Sequence, residues 1–427
     1  MSASDVLAEE KLSVKEKIIG MLKTPQARAL LAVAIGSYIL GLIFCTFNIM
    51  GFESLEDWTF SWVNLLLAAI TYGFLLFLMA SGMTLVFGLM GVFNLAHGAF
   101  IAFGAYVGYQ VIVWIDRATQ VIESKPVVLK MGSKSLPIMN PDGTPKMQDV
   151  MVEKGWFYSD VFTTTTNEAG EQITSFLWGS FSSTVITLVI GVLAAAAVAG
   201  LLGYFFERVM IKPVYGNPLN QILITMGGSI ILIELILAVW HGDTPAFPRP
   251  TYIDGRWDIY VLKDAAGMVS NVIDVDKIRV VAGVLGAVVF FAMNAILNKT
   301  KIGLLIRAGV ESQEMVEVHG YRIKLLFIGV FVAAICLAAT GGVMQGLWDT
   351  AIHPHMADTI LISVIVAIIV GGMGSVKGCL VGALLIALVN NYANALLPWV
   401  GGVASTVILM VVVLMWRPEG LDPVTAH

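Results

Sequence analysis

The sequence predicts an all-α membrane protein of about ten transmembrane helices, one of them discontinuous, with a small extramembrane lobe. Three observations predict it. The 427 residues are 57% hydrophobic and only 13% charged, where a soluble chain carries about a quarter. The mean hydropathy is +0.83. Apolar stretches of spanning length recur along the chain, each near the roughly 20 residues a bilayer demands. Net charge is −5 and no basic stripe stands out, which argues against a nucleic-acid binder. Cys45, Cys336 and Cys379 are scattered through apolar sequence, which argues against a disulfide-stapled secreted domain.

Taken in order, the expected spans are about 28–49, 62–88, 91–115, 178–206, 219–240, 279–297, 325–348, 359–372, 378–396 and 402–416. The preceding tail alternates charges through Glu9, Glu10, Lys11, Lys15, Glu16 and Lys17. It is too long and polar for a signal-peptide n-region, so the first span reads as a retained helix. Segments 116–177 and 241–278 are polar and contain turn signals such as Asn140-Pro141-Asp142-Gly143. Strand-like pieces surround Thr163 to Thr166 and Trp156-Phe157-Tyr158, so small β-rich lobes are expected. The plainer reading of 116–177 is a disordered loop. The resulting divisions are 1–60, 61–115, 116–177, 178–421 and a tail at 422–427.

Charge orients the chain. Ten spans return both ends to one side, and the segments on that side, counting Arg28 at the first boundary, carry fourteen basic residues, from Lys11 to Arg417. The three short loops opposite, 50–61, 349–358 and 397–401, carry none. By the positive-inside rule both termini are cytoplasmic.

Glu234 is the one charge well inside a span, and intramembrane carboxylates usually mark pathways. It reads either as a pathway or interface contact, or as a protonated side chain bonded to a neighbouring helix or reaching the headgroups. Pro354 disrupts helical placement of His353 and His355, so a metal pair is not expected. Neither a hydrolase motif nor a phosphate-cradling loop is present. An intramembrane enzyme is therefore not expected, and any ATP is hydrolysed by another chain.

Three stretches carry information. Gly82 through Phe100 joins two apolar runs at glycines, Asn94 and His97. It fits a broken or re-entrant helix facing a cavity, and equally a tight turn with Asn94 as an N-cap. Thr300 through Lys324 contains an amphipathic piece, Glu311 to Val318, closed by Gly320. Its acidic polar face suits docking on a protein better than lying on lipid. Gly371 through Gly378 joins two runs so tightly that a helix hairpin must form, with Gly372, Gly374 and Gly378 permitting close approach.

These stretches, with Glu207-Arg208-Val209-Met210-Ile211-Lys212-Pro213, resemble the LivH-type permeases of branched-chain amino acid ABC importers from about Leu65 to Leu421. Asn94 before Ala96-His97-Gly98 is more similar to LivH than to its LivM paralogue. The resemblance implies a multi-pass permease of the bacterial inner membrane, without catalysis or a cofactor of its own. It implies a LivM-like partner, two LivF/LivG-like ATPases carrying ATP and Mg, and a periplasmic solute-binding protein.

Under it, a coupling helix at about 308–320 would use Arg307, Glu311, Met315, Val318 and Gly320, and Asn94, His97, Gly98 and Glu234 would line the path. Pumping against a thousandfold gradient costs about 4 kcal/mol, which would enter through that helix. The first span and the long 116–177 segment depart from the pattern, and the latter would form a periplasmic lobe contacting a partner. Urea, short amides and aromatic acids are solutes of similar systems. The alternatives are a secondary transporter or channel, disfavoured by the scarcity of intramembrane charge, and a structural subunit of a membrane enzyme.

Overall fold

The computed structural model describes residues 24–46, 55–126, 128–131, 134–137, 147–153, 164–166, 172–174, 178–247, 249, 253–263, 269–311, 313–397 and 401–422. Side chains are described within 24–42, 57–115, 185–247, 249, 253–262, 272–309, 315–397 and 401–422. Among the described residues, ten apolar helices lie close to where the hydropathy places them. They are α1 (Pro25–Thr46), α2 (Leu55–Met90), α3 (His97–Thr119), α4 (Trp178–Phe206), α5 (Pro218–Trp240) and α6 (Lys277–Lys299), then α9 (Ile323–Asp349), α10 (Met356–Gly371), α11 (Val376–Leu396) and α12 (Gly402–Trp416). Two short helices, α7 (Lys301–Glu311) and α8 (Gln313–Val318), interrupt the series. Eight of the ten are long and apolar enough to cross a membrane, and α10 and α12 are shorter. The chain is a multi-pass membrane protein.

Helix α2 is the axis, packed against α11, α9 and α6, while α3 fills the angle between α9 and α4. Small residues set the spacing of the α3–α9 crossing. Gly104 lies against Ala339, Gly108 against Val343, and Gly342 against the backbone of Ile101 and Ala105. Hydrocarbon gives no hydrophobic drive between helices, so backbone approach of this kind supplies the dispersion contact that holds the bundle. Leu75, Leu76, Phe77, Met79, Phe100, Phe331 and Ala338 are fully buried there.

The polar segments between helices form hairpins at one face. Strands β1 (Gln120–Pro126) and β4 (Met147–Glu153) pair antiparallel, as do β2 (Val128–Met131) with β3 (Lys134–Pro137) and β5 (Thr164–Thr166) with β6 (Gln172–Thr174). The expected strand at the threonines is present. Trp156 to Tyr158 lie outside the described residues. A fourth hairpin, β7 (Arg256–Lys263) with β8 (Val269–Asp276), is tied to α2 because Asn64 donates to the Val272 carbonyl and accepts from the Asp274 amide.

The opposite face carries α7, α8 and the α10–α11 turn. In that turn Gly372 and Gly374 adopt φ of +108° and +84°, which only glycine enters cheaply. Ser375 caps α11 by accepting from the Gly378 amide. The C-terminal stretch locks the turn: the amides of Leu421 and Asp422 donate to the carbonyls of Val370 and Gly371, and Ser375 donates to Asp422.

Candidate functional site

Most of the described bundle interior is apolar, and a cluster of buried polar side chains, Asn94, His97 and Thr225, lies where α2 passes to α3. The break expected within the Gly82–Phe100 stretch is present but lies late in it, since α2 continues through Gly82 and Gly88 to Met90. Those two glycines are contact points, Gly82 against the Ala334 carbonyl and Gly88 against Gly374. The break comes at Gly91, with φ +61°, and residues 91–96 are not helical. The span expected at 91–115 therefore becomes a non-helical piece followed by a helix that begins at His97.

The break lies deep. His97 is fully buried, and its Nε2 lies 2.8 Å from the Met79 carbonyl. By helical rise, Met79 is roughly 16 Å back from the end of α2. Residues 91–94 have no regular structure and 95–96 turn into α3, so this short piece and the His97 side chain together reach back to that depth. The non-helical piece before α3 therefore lies against the interior of the bundle, which is tolerated in a membrane only where protein or a cavity satisfies the freed backbone.

Protein satisfies part of it. Thr225 on α5, fully buried, receives the Leu95 amide at 3.2 Å and bonds the Gln221 carbonyl at 2.8 Å. Asn94 accepts from the Ala96 amide through Oδ1, and the Asn94 carbonyl receives the His97 amide. Two side-chain atoms find no partner among the described residues, Asn94 Nδ2 and His97 Nδ1. The Met79 carbonyl requires a proton on His97 Nε2, so Nδ1 is the acceptor. At the positive end of α3 there is thus an unclaimed amide donor together with an unclaimed imidazole acceptor, a pair that suits a polar guest. Gly98 keeps the other side closed, packed against the Ala357 carbonyl and Leu361.

Glu234 is not part of this cluster. The buried face of α5 runs Gln221, Thr225, Gly228, Leu232 and Ile236, whereas Glu234 is exposed on the perimeter. Helical geometry puts residues two apart on opposite sides, so Glu234 does not line a path within this chain. That placement favours the interface alternative.

At the basic face, the single helix expected over about 308–320 is two helices, α7 ending at Glu311 and α8 covering six residues. Gly320, with φ +84°, ends the segment. Val316 is the inward residue, packed with Ile323 and Phe327 against Met90, Leu305 and Leu326. Met315 and Val318 point outward, 62% and 81% exposed. Beside them Leu305, Val316, Tyr321, Ile323 and Leu326 line a cavity of about 300 Å³. Arg307 donates to the carbonyls of Leu297 and Gly303, fastening α7 to the end of α6. The Glu311 side chain lies outside the described residues.

The sequence did not single out Thr225 or reveal that Glu207 is buried. Thr225 could have been found as a hydroxyl within an otherwise apolar run. Glu207, at the start of a π-helical turn covering Glu207–Ile211, is 1% exposed. It accepts from Tyr215 through Oε1 and leaves Oε2 without a partner among the described residues. Burial, reinforced by that carboxylate, pushes the Tyr215 hydroxyl above its ordinary range.

The family of branched-chain amino acid transport system permease components matches residues 65–416. The chain is 22% identical to the high-affinity branched-chain amino acid transport system permease protein BraD of Pseudomonas aeruginosa, over 85% of this chain and 96% of that protein. It is 21% identical to LivH of Escherichia coli, over 82% and 92% respectively. A probable LivH of Methanocaldococcus jannaschii is 27% identical over 30% of this chain and 43% of its own. No solved structure matches.

Proposed function

Because this chain belongs to the family of branched-chain amino acid transport system permease components, we propose that it is the translocating subunit of an ATP-driven importer in a bacterial inner membrane. In this reading the basic face is cytoplasmic and the hairpin face periplasmic. A second, LivM-like permease packs alongside, with Glu234 at that contact. A solute-binding protein docks on the hairpin face, and two ATPases that carry ATP and Mg dock on α7 and α8. The solute is a branched-chain amino acid or a related small polar molecule.

The observation that carries the ATP-driven part is the outward pair Met315 and Val318 on α8, beside the cavity at Leu305 and Tyr321. An apolar pair facing water on a short helix costs solvation unless a partner covers it. Work done on ATPase subunits would reach the bundle through Val316, which links α8 to Met90 at the end of α2. Movement of α2 would reach the polar break through the Met79–His97 contact.

Affinity purification from solubilised membranes, with mass spectrometry of what co-purifies, tests the assembly. Recovery of two ATPases and a second permease supports it. A chain that purifies alone and moves solute in ATP-free liposomes is instead a secondary transporter or channel.

The break has its own test. Serine at position 94 keeps an acceptor for the Ala96 amide and removes the unclaimed Nδ2 donors. Asn94→Ser is expected to assemble normally and to lower uptake roughly tenfold, the equivalent of one charge-assisted hydrogen bond. Wild-type uptake in that variant would reduce Asn94 to a helix cap.

A further inference from the structure

A second polar site lies at the hairpin face, away from the break. There α2, α6, α11 and strand β8 enclose a cavity of about 470 Å³, inside the roughly 300–1,000 Å³ range of small-molecule sites. Its polar lining comprises Arg256, Asp274, Asp276 and Arg279, with Asn64, Asn391 and Asn394.

Most of these charges are spent on one another. Arg256 pairs with Asp274 at 2.6 Å. Asp276 accepts from Arg249 at 3.1 Å and caps α6 through the Ile278 amide. Arg249 itself also donates to the carbonyls of Leu347 and Trp348. Asn64 spends one donor and one acceptor site on β8. Arg279 is different. Its guanidinium carbon lies 4.7 Å from the centre of the Trp348 ring, within electrostatic reach of the Asp349 carboxylate, and it makes no hydrogen bond to any described residue. An arginine whose N–H fork is not spent on the protein can offer it to a planar acceptor such as a carboxylate.

The other wall supplies the complementary groups. Asn391 and Asn394 direct their amide nitrogens to Ala387 and Asn390, which leaves both Oδ1 atoms as acceptors for an ammonium. The lining carries two arginines and two aspartates, and Arg249 and Asp349 beside it add one charge of each sign, so the site balances to zero and offers separated charge without excess. A phosphate would leave a net negative site; a zwitterion would not.

We propose that this cavity is a binding site for the carboxylate of a free amino acid at the periplasmic mouth, with Arg279 as the anchor. The occupant's identity rests on the amino acid transport reading; the carboxylate chemistry does not. The site would hold solute released by the binding protein before it enters the bundle, and its entry would not depend on Asn94.

The test measures binding of leucine, leucinamide and isovalerate to the purified full-length chain in nanodiscs, wild type and Arg279→Lys. Lysine preserves the charge and the ring contact but lacks the fork, and melting temperature checks that the variant is folded. Expected are leucine binding, at least tenfold weaker binding of leucinamide, and a loss of at least tenfold for leucine in Arg279→Lys. Equal binding of leucine and leucinamide, or no effect of the lysine variant, overturns the proposal. So does a phospholipid, seen by native mass spectrometry, that leaves with the arginine and that leucine does not displace. ATP-driven uptake in the reconstituted complex separates the two readings. Normal uptake without Arg279-dependent binding sinks only the cavity, while Arg279-dependent isovalerate binding without amino acid uptake sinks only the transported solute.

Discussion

Met315→Glu leaves the protein folded and inserted but lowers ATP-driven uptake at least tenfold. The side chain is 62% exposed, so a carboxylate there meets water in the isolated chain and costs the fold little. Once an ATPase covers α8, the same carboxylate is buried without a partner. Losing an apolar anchor at the centre of an interface costs about 2 kcal/mol or more, and a buried unpaired charge adds to that. Co-purification of the ATPase and uptake in proteoliposomes read the effect, and wild-type values for both would remove α8 from the interface. The neighbouring residue gives the contrast. Val316 is 6% exposed against Ile323 and Phe327, so Val316→Glu is expected to destabilise the chain itself and lower its melting temperature before any partner is added.

Gly342→Val is expected to be the most damaging single change to the bundle. A Cβ at this position would run into the Ile101 carbonyl and lie 3.2 Å from the Ala105 amide. Backbone cannot turn aside as a flexible side chain can, so α3 and α9 must separate. Overpacking typically costs 1–3 kcal/mol, and here the lost dispersion along the whole crossing carries the cost above about 3 kcal/mol. Gly329 is on the same helix, with open space where its Cβ would stand. Gly329→Val should therefore leave stability within about 0.5 kcal/mol of wild type. Thermal melting of the detergent-solubilised chain compares the two, and equal stabilities would mean the crossing is looser than the structure has it.

Much of the architecture was legible because hydrocarbon imposes a simple rule. A segment that spans it must be apolar and must satisfy its own backbone, so runs such as 402–416 and 178–206 announce their helices with bounds that the structure reproduces. The α10–α11 turn was legible for a related reason, since two apolar runs separated by Gly372, Met373, Gly374 and Ser375 have no room for anything but a hairpin. The site was less legible. Gly82 and Gly88 signal backbone freedom in sequence, yet both are helical and owe their small size to Ala334 and Gly374 across the interface. A glycine that permits a bend and one that permits contact look alike until the neighbouring helix is known.

The ten apolar helices, the basic face and the lack of a nucleotide-binding loop were determined by local composition and spacing, and the family by its resemblance to known permeases. The tertiary structure decided which polar residues meet. It brought His97 to Met79, Thr225 to Leu95 and Arg279 to Trp348, and it turned Glu234 away from the bundle. Hydropathy depends on each residue's own transfer energy, which the chain carries with it. Hydrogen bonding and charge pairing depend on distances of about 3 Å between residues far apart in sequence, and those distances exist only once the helices have packed.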